Sequence, residues 1–146
     1  MKFLFDYDPT DLLWADWIGW TLRGVGHEVY VREWEVEAGQ NTEKWAARRM
    51  KDCEKLLGLF SPSYIQAVKS KPDDRPPYWD GLADRDGFLV PIIIEPCMDL
   101  PSAVRPLKRL HLYDIPEQMA ALSLIKFLAP PSIPIIKPPF PSDERV

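Results

Sequence analysis

The chain opens on a short apolar run, residues 1–6 (MKFLFD), that stops abruptly at acidic positions, as a strand buried on both faces does. Asp8-Pro9-Thr10-Asp11 reads as a helix start. Asp8 can cap, Pro9 suits the first helical position, and Asp11 sits near the positive end of the helix dipole. Leu13, Trp14, Trp17, Ile18, Thr21, Leu22 and Val25 then recur at helical spacing until Gly24 and Gly26 end the run. Residues 28–34 (EVYVREW) alternate and are rich in β-formers, which predicts a second strand. A polar turn over 37–41 leads into a predicted helix from a Thr42 cap to Cys53. Residues 55–60 (KLLGLF) form a continuous apolar strand closed by Ser61-Pro62. Pro72, Pro76 and Pro77 make most of 66–77 a predicted loop, and 78–84 a short helix. Residues 88–95 (FLVPIIIE) are the most hydrophobic strand and are placed centrally; 107–113 make a weaker fifth strand and 116–128 a last helix.

Strands alternating with helices predict a parallel, doubly wound α/β sheet of about five strands over residues 1–128. Beyond Leu128 the periodicity vanishes, and six prolines fall between Pro130 and Pro141. Residues 129–146 therefore read as a proline-rich linker or tail, and the chain is expected to come from a longer protein with a further C-terminal domain. The 146 residues are 46% hydrophobic, enough for one ordinary core, and the net charge of −4 argues against a broad nucleic-acid surface. No run approaches the roughly 20 apolar residues of a membrane span, and MKFLFDYD turns acidic too early for a signal peptide, so a cytoplasmic location is expected. Cys53 and Cys97 make neither a disulfide framework nor a metal-ligand spacing.

Ligands of such a sheet gather at the carboxyl ends of its strands. Here that edge comprises Asp6, Tyr7 and Asp8, then 34–41, 61–64, and Glu95-Pro96. Carboxylates two apart at a strand end can hold a hard cation such as Mg²⁺, but the favoured reading has Asp8 capping the helix and Asp6 facing water, with no resident metal or required cofactor. A phospho-receiver assignment fails, because Ser61-Pro62 stands where the aspartate nucleophile belongs and strand five ends near Tyr113-Asp114 rather than at a lysine. Glycine-rich dinucleotide, P-loop and nucleophile-elbow signatures are all absent. His27, His111 and the two cysteines read as structural, Trp14, Trp17 and Trp20 as helix-packing residues, and Arg48, Arg49 and Lys51 as a solvated helix face.

Several segments, in order, carry a family resemblance. FLFDYDPTD, then LLWADWIGWTLRGVGHEVYVREWEVEAGQN, then KLLGLFSPSYI, FLVPIIIEPC and LKRLHLYDI resemble successive pieces of a Toll/interleukin-1 receptor (TIR) domain of the kind found at the front of bacterial signalling and defence proteins. The resemblance implies a flavodoxin-like three-layer α/β sandwich. It implies association with other TIR domains, and in many members hydrolysis of NAD⁺ at the bond to nicotinamide, in which one glutamate supports an oxocarbenium-like transition state. It places the contact loop at Trp34, Glu35, Glu37, Gly39 and Asn41, and the nucleotide pocket at Asp6, Tyr7, Asp8, Trp34, Ser61 and Tyr64. The family glutamate follows the Ser-Pro-Tyr segment, yet there is no glutamate between Glu54 and Glu95. Tyr78 falls at the expected position in one alignment and Asp73 in an ungapped one, while Asp80 is the nearest acid on a predicted helix. Asp6 and Asp8 also replace small or hydroxyl residues; each charge about 6 Å from a pyrophosphate would cost about 1–3 kcal/mol, which a cation such as Arg32 can offset. The expectation is a self-associating or partner-recruiting module of defence signalling with weak or absent NAD⁺ hydrolysis, and the alternative is an NAD⁺ glycohydrolase using Asp80.

Overall fold

The computed structural model describes residues 1–70 and 85–142. Five strands form one sheet: β1 (Lys2–Asp6), β2 (Glu28–Tyr30), β3 (Lys55–Phe60), β4 (Leu89–Ile93) and β5 (Leu110–His111). Every pairing is parallel, and the spatial order is β2-β1-β3-β4-β5. The helices are α1 (Leu12–Gly24), α2 (Arg32–Glu35), α3 (Thr42–Asp52), α4 (Pro62–Ser70) and α5 (Glu117–Leu128). This is the flavodoxin-like α/β fold.

The period of two along each strand divides the core into two layers. Phe3, Phe5, Leu57, Leu59, Ile92 and Ile94 face α1 and α5, where Ala15, Ile18, Leu22 and Leu124 meet them. Leu4, Leu56, Phe60 and Ile93 face the other way, against Trp45 of α3 and Tyr64 and Ile65 of α4. Each such aliphatic or Phe side chain contributes about 1.5–3 kcal/mol when fully buried, so the apolar runs of β1, β3 and β4 largely determine the sheet.

Four local expectations are corrected. The second strand ends at Tyr30, and residues 32–35 turn into α2, because pairing with β1 stops at Leu4↔Tyr30 and Trp34 packs back on α1. The cap of α3 is Asn41, whose side chain accepts from the Lys44 amide at 2.9 Å, rather than Thr42. Residues 66–70 belong to α4: Ser61 caps it by accepting the Tyr64 amide at 3.2 Å, Pro62 opens it, and Ile65 and Val68 anchor it to the core. Trp20 is 74% exposed, while Trp14 and Trp17 pack on the core. The expected helix over 78–84 lies outside the described residues.

Asp8 does cap, accepting from the Thr10 amide at 3.0 Å, although the turn it opens is a 3-10 turn over Pro9–Asp11 that precedes α1. His27 sits edge-on to Phe3, with centroids 5.1 Å apart, and lies 3.0 Å from the N-terminal amine through Nδ1. Residues 129–142 leave the end of α5 exposed.

Candidate functional site

In a sheet ordered 2-1-3-4-5 the connections change direction between β1 and β3, and the crevice at their carboxyl ends is the natural ligand position. The structure brings the expected residues of both strands together there. Ser61, just past β3, donates its hydroxyl to Asp11 Oδ2 at 2.6 Å, and both side chains are buried. Tyr64, one turn into α4, donates its hydroxyl to Asp6 Oδ2 at the end of β1. Two side-chain hydrogen bonds thus cross the crevice from the β3 side to the β1 side. A hydrogen bond to a carboxylate contributes about 1.5–3 kcal/mol, so each is a substantial tie. Asp6 accordingly does not simply face water, and Asp8 is occupied by the backbone amide and hydroxyl of Thr10.

Beside this lattice lies a different arrangement. Tyr7 is buried, yet its hydroxyl has no hydrogen-bond partner. The Arg32 guanidinium sits 5.0 Å from the Tyr7 ring, donates Nε to Glu33 at 3.1 Å, and leaves a buried Nη2 unpartnered. A buried polar atom without a partner costs about 1–3 kcal/mol, so a donor pair of this kind is poised for an oxygen-rich group.

The family model for the TIR domain matches residues 4–125, from β1 into α5. The chain belongs to the TIR domain family. A search of curated proteins finds no match. Signalling, and at the level of the family NAD⁺ hydrolysis, are the activities associated with this domain.

Trp34 of the TIR domain is held away from the Ser61–Asp11 pair. Its Nε1 donates to Asp16 at 2.7 Å, its ring lies over Gly19, and the Arg23 guanidinium is 5.9 Å from the ring centroid. Gly19 lies about 12 Å along α1 from Asp11 at 1.5 Å per residue. The side chain therefore fixes α2 onto α1 and positions the loop that follows. In that loop the Glu37 amide donates to Gln40 Oε1 at 2.8 Å, Gly39 takes a left-handed φ of 86°, and Asn41 caps α3. Glu35 is tied to Arg49 of α3, and Arg49 lies 4.1 Å from the Tyr30 ring centroid, so Arg49 is a packing and pairing residue rather than part of a purely solvated face. The exposed tip of the loop, residues 37–40, is thus braced at both ends.

A cavity of about 520 Å³ opens between α4 and the segment after β4, lined by Pro62, Ile65, Gln66, Lys69, Pro96 and Cys97 among others. Lys69 crosses its rim to Asp99, which holds the Asp99 carboxyl below its ordinary value. Burial, then the charges of Glu95 and Asp11, push the Cys97 thiol up, and it donates to the Glu95 carbonyl at 3.1 Å. Both effects disfavour the thiolate, the nucleophilic form of cysteine. Among the described residues no cluster of three or more His, Cys, Asp or Glu side chains can hold a metal ion, and no helix is long and apolar enough to cross a membrane. Asp73, Tyr78 and Asp80 lie outside the described residues.

The sequence reading missed Asp11 as a partner of Ser61 and used it only as a dipole-facing charge. No local signal marked the tie, since nearby Leu13 is 83% exposed and Ser61 lies 50 residues away in sequence.

Proposed function

We propose that this TIR domain acts as an assembly module of defence signalling, self-associating or recruiting other TIR domains through the loop over 34–41, and that its NAD⁺ hydrolysis is weak or absent. The observation that carries the reading is the missing glutamate: none occurs between Glu54 and Glu95, where the family places its catalytic acid. The crevice chemistry supports it, because Ser61 and Tyr64 spend their hydroxyls on Asp11 and Asp6. The loop supports it as well, since its tip is exposed and its ends are anchored by Trp34 and Asn41. The partners in this reading are further TIR domains.

Light scattering over a concentration series should show growth in mass to assemblies larger than a pair, and Gly39→Val, which forces a β-branched residue into a left-handed backbone, should suppress those larger assemblies. A strict monomer at every concentration would count against assembly. Nicotinamide release from NAD⁺ above a no-protein control, at high protein concentration with a crowding agent, would overturn the claim of weak hydrolysis.

One observation favours the second reading, an NAD⁺ glycohydrolase. The unpartnered Arg32 Nη2 and Tyr7 hydroxyl lie beside the β1 carboxyl edge, where a pyrophosphate would need donors. In that case Asp80 stands in for the glutamate, and Asp80→Ala should abolish turnover. Turnover that survives this change would remove Asp80 from the mechanism.

A further inference from the structure

On the opposite side of the sheet from α3 and α4, an apolar groove of about 320 Å³ runs between α1 and α5, lined chiefly by Leu13, Trp14, Trp17, Leu112, Ile115 and Glu117. Trp14 and Trp17 stand edge to face with centroids 6.3 Å apart, and Trp17 Nε1 donates to Glu117 at 3.3 Å. The same two helices leave Trp20, Met119 and Leu122 exposed, and Leu13 is 83% exposed. Glu117 is the acidic group in an otherwise apolar lining.

The tail beyond α5 has the complementary chemistry. Ile133, Ile135, Ile136 and Phe140 are all exposed, Ile135 at 98%, with Lys137 among them and six prolines between Pro130 and Pro141. Proline-rich chains favour the extended polyproline conformation, which aromatic-lined grooves bind because little chain entropy remains to be lost. A single copy thus displays an unfilled aromatic groove carrying an acid and an unseated apolar strap carrying a base. Two copies related by a two-fold axis satisfy both halves at once.

We propose that residues 133–140 of one copy seat in the α1/α5 groove of a second copy, with Ile135 and Ile136 against Trp14 and Trp17 and Lys137 beside Glu117. The contact lies on a different surface from the 34–41 loop and does not rest on it. Its two-fold form makes a closed pair, whereas the loop remains free to build larger assemblies.

Sedimentation velocity on the full chain, carried out in the Gly39→Val background to remove the loop contact, tests this directly. The pair should persist in that background. Ile135→Asp with Ile136→Asp, both at exposed positions, should weaken it about a hundredfold, roughly tenfold for each apolar side chain withheld from the groove. Leu13→Glu, also at an exposed position, should weaken it from the groove side. Lys137→Glu and Glu117→Lys should each weaken it about fivefold to tenfold, through a lost pair and a new like-charge contact. Mixing those two single variants should restore pairing, since each groove then meets a tail of opposite charge. A mixture that pairs no better than either single variant alone overturns the exchange, because the altered tail then does not meet the altered groove of the other copy. A chain that is monomeric in the loop-variant background overturns it as well, and leaves the loop assembly standing on its own series.

Discussion

Gly19→Ala is the sharpest test of how the loop over 34–41 is positioned. In an exposed helix interior this exchange stabilises by about 1 kcal/mol, because alanine loses less backbone freedom than glycine. Here a Cβ at position 19 would lie 2.7 Å from the Trp34 ring, about 0.7 Å inside the 3.4 Å at which ordinary contact begins. The ring cannot slide freely, since its Nε1 is held by Asp16 and Arg23 lies over its face. Overpacking of this kind costs about 1–3 kcal/mol. Net of the helix-propensity gain, Gly19→Ala should destabilise by about 1 kcal/mol, and it should loosen α2 and the loop behind it. In a Trp34→Ala background the same change should stabilise by about 0.5–1 kcal/mol, because only the propensity difference remains. Urea denaturation followed by far-UV circular dichroism measures all four chains of this cycle. If Gly19→Ala stabilises equally with and without Trp34, the packing of Trp34 on α1 is not what brings the loop to its position.

Ser61→Ala should cost about 2 kcal/mol in urea denaturation, because it leaves the buried Asp11 carboxylate without its 2.6 Å donor. Tyr7→Phe should leave stability unchanged or slightly raised, since the hydroxyl it removes has no partner, and it should weaken any NAD⁺ binding seen by calorimetry. The His27 pKa is lowered by burial first and then by the N-terminal amine, with Glu54 opposing. The unfolded chain therefore takes up the proton more readily than the folded one, and stability should fall as pH drops from 6.5 through the folded-state value. His27→Gln should flatten that part of the thermal-stability profile.

The sheet was legible because β1, β3 and β4 are nearly continuous apolar runs, and such runs suit strands covered on both faces. The Asp-Pro-Thr-Asp segment marked the turn that leads into α1, although that turn is 3-10 and α1 itself starts at Leu12. What escaped was tertiary in origin. Residues 28–34 alternate like a strand along their whole length, but only three of them find a partner in β1, and Trp34 is drawn off to α1. Trp20 is two residues from both Ile18 and Leu22, a rotation of about 200°, which leaves it nearly opposite the buried face. The Ser61–Asp11 tie joins positions that are 50 residues apart in sequence, and no local spacing encodes it. Prolines from Pro72 onward hid the helix before them, because they draw attention to a breaker rather than to Ser61 and Pro62, which start the turn.

The two margins of the sheet have a consequence for how this domain can join others. β2 offers three residues at one margin and β5 two at the other, too little backbone for an incoming strand to zip against. Lateral fusion of sheets into a cross-β fibre is thereby discouraged at both sides. Contacts between copies are left to loops, helices and tail, whose side chains can part as readily as they meet. An assembly held by such contacts alone, as proposed above, would come apart on dilution, which a signal that must be switched off requires.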